Sequence, residues 1–249
     1  MASRRPPPRR REPRPALVRA LAALLLAGAL AYTTWVSEVF LATGLPPRTV
    51  YVSALAAEDQ PYGTFFRAAD LLAGLLVLAG AAGALRWLPR RGRWATAGWA
   101  GIALFGAATA ADSRLPLHCV ATADAGCLAR ERAGDVPWTH SAHVVSSGLA
   151  ATAALTGMVL LTAVARRHAA AWPSLARTGP AVVALELAAT CWTLASIAAF
   201  EAGRGTWGLG IGQRLQVLFI AVWLVVLARS LVTAAEPPAQ EPSPEAGRG

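Results

Sequence analysis

The sequence predicts an all-α protein that crosses a membrane repeatedly, as a bundle of six transmembrane helices. Apolar residues make up 55% of the 249 residues and charged residues only 15%, against roughly 25% in an ordinary soluble domain. The apolar residues also form long blocks that polar segments separate. A helix of about 20 apolar residues spans the ~30 Å hydrocarbon core and closes its backbone hydrogen bonds internally.

Six apolar blocks have the required length. They are Leu17–Val39, Phe65–Leu88, Trp94–Ala111, Val144–Ala165, Gly179–Phe200 and Ile211–Val232. We therefore expect one transmembrane domain over residues 16–233. The Pro/Arg-rich residues 1–15 and the weakly acidic residues 234–249 should be disordered tails, because neither can form an apolar core. A cleaved signal peptide is the alternative for the first block, but the block is long for a signal core.

The basic residues are distributed unevenly along the chain. All 23 are arginines, and 16 lie in the first 19 residues, in or beside the connections between blocks two and three and between blocks four and five, or towards the C-terminus. The positive-inside rule then places both termini in the cytoplasm, with the protein in the cell membrane. The net charge of +9 thus reflects orientation and attraction to anionic lipids rather than nucleic-acid binding. Membrane lipids are the expected partners, with an envelope protein or a second copy of the chain left open.

The connection between blocks three and four contains two of the three cysteines. Cys119 and Cys127 would lie outside the cell, in an oxidising compartment, so we predict a disulfide between them. In the chain-entropy model it would stabilise the folded loop by roughly 2–3 kcal/mol. Cys191 lies within the fifth block and is expected to be a small buried apolar side chain.

Ionisable residues concentrate at the predicted outer ends of the helices. The candidate ligand-binding residues are Glu38, Arg67, Asp70, His140 and His143. Arg67 and Asp70 have the i,i+3 spacing of an ion pair on one helix face. Because charges near hydrocarbon are costly, such groups form either structural ion pairs or a functional polar pocket. Glu186 lies deeper, as a buried interhelical hydrogen-bond partner or a proton-relay group.

The histidines allow a metal-site hypothesis. His118, His140 and His143 form a candidate three-histidine zinc site, which would leave a position for water, and Asp70 or Asp112 would support it. Asp70, Asp112 and His143 are therefore the candidate catalytic residues. The alternative is no cofactor, with the histidines hydrogen-bonded to loop carbonyls. Ser146 and Ser147 are expected to bond to the i−4 carbonyl or to a neighbouring helix rather than act as nucleophiles.

Three segments resemble a known family. YVSALAAEDQPYGTFFRAADLLAGLLVL, LFGAATAADSRLPLHC and CLARERAGDVPWTHSAHVVSS are similar to the actinobacterial branch of the domain-of-unknown-function 998 family. The resemblance covers about residues 16–233 and implies a six-helix membrane protein without an assigned activity. Ser53, Asp70, His143 and the cysteine pair fit the family pattern. Ala54 and His118 stand where that pattern has Glu and Asp. The Ser/Asp/His placement is also distantly similar to ceramidase-like membrane hydrolases.

Three functions are compatible with these residues. The first is binding of a lipid headgroup, small ligand or envelope partner in an outer polar pocket, without catalysis. The second is metal-dependent hydrolysis of lipid-like substrates through the three histidines and an aspartate. The third is proton-coupled transport through Asp70, Glu38 and Glu186, which needs a polar path to both faces.

Overall fold

The chain folds into helices connected by loops. The computed structural model describes residues 15–89 and 91–235, and within these residues it contains no strand. The α-helices are α1 (Pro15–Tyr32), α2 (Gly63–Trp87), α3 (Arg93–Asp112), α4 (Ala125–Ala133), α5 (Trp138–Arg167), α6 (Pro173–Glu201) and α7 (Leu209–Ala235). Two 3₁₀ helices, Thr34–Val39 and Val52–Ala56, lie between α1 and α2. The all-α prediction is confirmed.

Each predicted span overlaps one long helix, and five segments are long and apolar enough to cross a membrane. These are Pro15–Val39, Gly63–Trp87, Trp138–Arg167, Pro173–Glu201 and Leu209–Ala234. Helix α3 is not among the five, because weakly apolar Ala and Gly form much of its length. Of the predicted tails, residues 1–15 and 234–249, the structure places residues 15, 234 and 235 in helices, and the others lie outside the described residues.

Helix ends differ from the predictions where polar residues continue a helix. The fourth long helix begins at Trp138, after Pro137, rather than at Val144. The fifth begins at Pro173, where a proline at the first helical position lacks only an amide that has no helical partner. The first α-helix ends at Tyr32, and Glu38 lies in the 3₁₀ helix that follows. Hydropathy marks where a helix is apolar, whereas its ends depend on turn and cap residues.

The six long helices form a closed ring. Each packs on the next long helix along the chain, and α7 packs on α1. Leu25, Phe105, Met158, Trp223 and Leu227 are buried in one apolar core. Large apolar side chains such as Leu30, Leu72 and Leu194 are exposed on the outside, as expected where a helix faces lipid.

Small residues allow the closest helix contacts. A Cβ atom on Gly74 of α2 would lie 2.7 Å from the carbonyl oxygen of Gly106 on α3, and the reverse substitution meets the same conflict. In lipid, close backbone approach of this kind replaces the hydrophobic drive that joins helices in water. The α2–α3 contact therefore depends on glycine at both positions.

The two longest connections lie at the same end of the ring, which we call the loop end. They comprise residues 33–62 and residues 113–137, whereas connections 88–92 and 168–172 at the opposite end are short. Buried Val50, Ala54, Ala57 and Val120 form a small apolar core between the two long connections. At its edge, burial raises the pKa of Tyr51 to about 12, with smaller contributions from the Glu201 and Glu131 carboxylates, so this phenol stays protonated at physiological pH.

The disulfide prediction is confirmed. Cys119 and Cys127 are bonded, with their Cα atoms 5.9 Å apart, and the bond joins the second connection to α4. Asp124 caps α4 by accepting from the amides of Gly126 and Cys127. The prediction for Cys191 is wrong, since its side chain is exposed on α6. An apolar block does not reveal which of its faces points out of the ring.

Candidate functional site

A cavity opens into the ring at the loop end. Its volume is about 110 Å³, and five of the six ring helices line it together with both 3₁₀ helices. The polar lining residues are Tyr32, Thr34, Ser53, Asp70, Thr109, Asp112, Ser147, Gln213 and Gln216, and the larger apolar ones include Trp35, Phe66, Val217 and Ile220. A polar cavity between apolar helices is the usual form of a ligand site.

The lining is acidic and aromatic. It contains two carboxylates and no Arg or His side chain, and Tyr32, Trp35 and Phe66 contribute aromatic rings. Asp70 lies close enough to Asp112 for their charges to repel each other. Among the described residues, Asp70 has neither a hydrogen bond nor an ion pair. Asp70 is therefore a half-buried carboxylate without a protein partner, directed into an acidic cavity.

Asp112 belongs to a cluster of four side chains where α3 packs on α5. Ser146 Oγ donates to Asp112 Oδ1, and Ser147 Oγ donates to Asp112 Oδ2 over 3.0 Å. The Nδ1 atom of His143 lies 3.2 Å from Asp112 Oδ1, and its Nε2 atom lies 3.3 Å from Ser147 Oγ. One turn of α5 therefore places a serine and a histidine beside one carboxylate.

The surroundings of His143 determine its neutral tautomer. Its Nδ1 atom also lies 2.9 Å from the carbonyl oxygen of Leu115. Both neighbours of Nδ1 are acceptors, so this nitrogen carries the proton and Nε2 is left as an acceptor. Ser147 is the hydroxyl that faces Nε2.

The other two histidines have separate partners. The Nδ1 atom of His140 accepts from the backbone amide of His118 over 3.2 Å, and its Nε2 atom lies 3.6 Å from Glu131. The ring of His118 instead contacts Glu58, at 3.0 Å. Across residues 15–89 and 91–235, no group of three or more His, Cys, Asp or Glu side chains is arranged to hold a metal ion. The structure therefore does not bring His118, His140 and His143 together as ligands.

Glu38 and Arg67 do not line the cavity, and both hold loop segments in place. Glu38 is buried and forms a two-point ion pair with Arg214, with distances of 2.7 and 2.6 Å. The expected pair between Arg67 and Asp70 is wrong. Arg67 donates to the carbonyls of Ala56 and Ala57 and to Thr64 instead. The second 3₁₀ helix brings these carbonyls to α2, which helical spacing alone does not reveal.

A short polar chain leads from the cavity into the ring. Gln216 of α7 donates to Thr190 over 3.0 Å, and Thr190 donates to Glu186 Oε1 over 3.2 Å. Glu186 is buried, and its Oε2 atom has no hydrogen-bond partner in the described part of the chain. The hydrogen bond of Glu186 lies within its own helix rather than between helices, and Thr190 makes the link to α7.

Sequence reasoning missed several cavity residues. Tyr32, Thr109, Gln213 and Gln216 line the cavity but were not singled out. Gln213 and Gln216 carried a usable signal, since two amides spaced i,i+3 in an otherwise apolar helix need polar partners on one face. Thr109 gives no such signal, because a threonine in a membrane helix normally bonds to its own backbone.

These features define a class of protein: an all-helical, membrane-type protein with a polar cavity at one end of its helix ring. The model of a family described as "Protein of unknown function (DUF998)" matches residues 25–230. The chain belongs to this family, which confirms the resemblance seen in its sequence. No curated protein and no solved structure matches the chain.

Proposed function

We propose that this protein is a six-span membrane protein that binds a small cationic amine group in its loop-end cavity. The group belongs either to a lipid headgroup or to a soluble amine. Both termini face the cytoplasm and the loop end faces outward, as the arginine distribution favours. The observation that carries this proposal is the unpartnered carboxylate of Asp70 in the acidic cavity.

The surroundings of Asp70 favour a cation over other ligands. A charge near hydrocarbon costs ~2.5–3.5 kcal/mol on insertion scales and is normally paired. Asp112 already accepts hydrogen bonds from Ser146 and Ser147, whereas Asp70 has no such donors. An ammonium group would supply both charge and donors to Asp70. The rings of Tyr32 and Phe66 also line the cavity, and an aromatic ring within about 6 Å of the ammonium would add cation–π attraction. The ring of Trp35 already has the Arg214 guanidinium over it.

The size of the cavity limits what enters it. A cavity of about 110 Å³ is somewhat smaller than an engineered cavity of ~150 Å³ that binds benzene. It therefore accepts a headgroup fragment of a few non-hydrogen atoms, while any acyl chains remain against the apolar outside of the ring. Exposed Val36, Val39, Phe40 and Phe65 supply such a surface near the loop end.

Thermal unfolding of purified protein tests the proposal. We would compare nanodiscs containing phosphatidylethanolamine with nanodiscs containing phosphatidylglycerol, each with and without added ethanolamine. We expect the amine to raise the unfolding midpoint of the wild type and to have no effect on Asp70→Asn. A ligand whose free concentration is 100 times its Kd stabilises the folded state by about 2.7 kcal/mol, and a change of this size is readily measured.

Asp59→Asn is the matched control, because Asp59 is an exposed carboxylate at the same end of the ring. It should respond to amine as the wild type does. Stabilisation by phosphatidylethanolamine alone identifies a lipid headgroup, and stabilisation by ethanolamine alone identifies a soluble amine. If neither amine stabilises the wild type beyond the phosphatidylglycerol sample, the proposal is wrong.

A further inference from the structure

We propose that Ser147 is a nucleophile, with His143 as its general base, and that it cleaves an acyl ester of an amino alcohol whose ammonium group is bound at Asp70. This inference rests on the amine site proposed above and adds a reaction to it. The observation behind it is a serine, a histidine and an aspartate in mutual contact at the wall of a cavity.

Ser147 has a general base within reach. Its hydroxyl donates to Asp112 Oδ2 over 3.0 Å in the structure, and rotation about the Cβ–Oγ bond turns the same proton toward His143 Nε2. The Nε2 atom of His143 faces Ser147 Oγ at 3.3 Å, and its Nδ1 atom faces Asp112 Oδ1 at 3.2 Å. Distances slightly above hydrogen-bond length are common in sites without substrate. Asp112 and Leu115 together hold the proton on Nδ1, so Nε2 is free to accept the serine proton.

Ser147 and its neighbour Ser146 differ in whether a ligand in the cavity can reach them. Ser147 lines the cavity, whereas Ser146 is buried and does not. Ser146 donates to Asp112 and to the carbonyl of His143, which holds the carboxylate in place. We therefore assign nucleophilic attack to Ser147 and positioning of Asp112 to Ser146.

The cavity also offers a donor for the negative charge that develops during attack. Thr109 lines the cavity, and its hydroxyl is buried without a hydrogen-bond partner in the described part of the chain. Such an unsatisfied polar group is rare in a folded protein. Rotation of the Thr109 side chain would turn this hydroxyl into the cavity, where a substrate carbonyl oxygen that becomes negative would accept its hydrogen bond.

The reaction balances without a redox partner. Ser147 Oγ forms a bond to the acyl carbon while its proton moves to His143 Nε2. The bond from the acyl carbon to the leaving oxygen then breaks, and the leaving alcohol takes that proton from His143. Water next attacks the acyl carbon and gives a proton to His143, and the acyl–Oγ bond breaks. Ser147 recovers the proton, and a carboxylic acid is released.

A fluorophosphonate probe tests the nucleophile directly, because it forms a covalent adduct with activated serines. We would incubate the full chain in nanodiscs with the probe and locate the adduct by mass spectrometry. We expect an adduct on Ser147 that is absent from Ser147→Ala. His143→Gln should lower the labelling rate by about 100-fold or more, since general-base catalysis contributes ~10²–10⁴.

Ser141→Ala is the matched control, as Ser141 is exposed on the same helix and outside the cavity. It should be labelled at Ser147 at the wild-type rate. Lack of an adduct on Ser147 in the wild type overturns the inference, as does an unchanged rate in His143→Gln. The wild-type result does not depend on the folding of any variant.

Amine binding by Ser147→Ala separates this inference from the proposed function. If the amine stabilises the wild type and Ser147→Ala equally but the wild type is not labelled, the reaction is wrong and the binding proposal stands. If Ser147 is labelled but no amine stabilises the wild type, the nucleophile stands and the amine as part of the substrate is wrong.

Discussion

Asp70 and Asp112 line one cavity, yet their carboxylates have different surroundings. Asp112 contacts Ser146, Ser147 and His143. Asp70 lines the cavity without a side-chain partner among the described residues. A satisfied carboxylate can hold a histidine in one orientation, while an unsatisfied one attracts a ligand. At the residue scale, this difference separates the proposed roles of catalytic support and of amine binding.

Thr190 is the residue whose removal tests the polar chain into the ring. In Thr190→Val, Gln216 loses its acceptor and Glu186 loses its donor. Hydrogen bonds between membrane helices average ~0.6 kcal/mol and reach ~1.7 kcal/mol. We therefore expect the free energy of unfolding to fall by about 1 kcal/mol, measured by denaturation in detergent micelles.

Thr178→Val is the control for this experiment. Thr178 is exposed on the same helix and bonds only to its own backbone, at Ser174. It should change stability by less than about 0.5 kcal/mol. Equal effects of the two variants would contradict a role for Thr190 in joining α6 to α7.

At the scale of elements, one ion pair joins segments that are distant in sequence. Glu38 lies in the first 3₁₀ helix and Arg214 near the start of α7. Arg214 also donates to the carbonyls of Pro47, Val50 and Gly210. The pair therefore holds the first long connection over the ring, where both 3₁₀ helices contribute to the cavity.

Arg214→Gln should strongly destabilise this arrangement. The substitution leaves Glu38 buried without its counter-charge and leaves three carbonyls without their donor. Breaking a buried pair from one side typically costs about 3–5 kcal/mol. We expect a loss of that size in the free energy of unfolding, again from denaturation in micelles.

Arg48→Gln provides the comparison, because Arg48 is an exposed arginine of the same connection. Its effect should stay within about 0.5 kcal/mol. A loss below about 1 kcal/mol for Arg214→Gln would show that the pair does not hold the connection in place.

At the scale of the whole molecule, the ring places both long connections and the cavity at the same end. If every long helix, including α3, crosses the membrane, successive helices run in opposite directions. The first and third connections then lie at the same end of the ring. Five helices are long and apolar enough by themselves, and α3 packs between α2 and α5. The six-span proposal requires α3 to cross the membrane in this position, despite its weaker hydropathy.

Cysteine labelling in intact cells tests the orientation. In a Cys191→Ser background, Ala42→Cys places a thiol at the loop end and Ala169→Cys places one at the opposite end, both at exposed positions. We expect a membrane-impermeant maleimide to label the first in intact cells and the second only after permeabilisation. The opposite pattern would show that the loop end faces the cytoplasm.

Much of the fold was predictable because its signals are local. Apolar blocks of sufficient length indicate the long helices, and two cysteines in one connection indicate the disulfide. The site was less predictable. Asp70, Asp112 and His143 were named as candidates, but the contact of Ser147 with His143 was not. The partners of Arg67 and the exposure of Cys191 also depend on how each helix is rotated about its axis.

The sequence by itself determined the class of the protein, the positions of its long helices and the end that carries its polar residues. These follow from the cost of placing polar groups in hydrocarbon, which each segment meets on its own. Only the tertiary structure decided which polar side chains meet. It paired Glu38 with Arg214, left Asp70 unpartnered and set Ser147 beside His143. Such contacts depend on ring order and on close packing between helices, as at Gly74 and Gly106, and neither is encoded in any single segment.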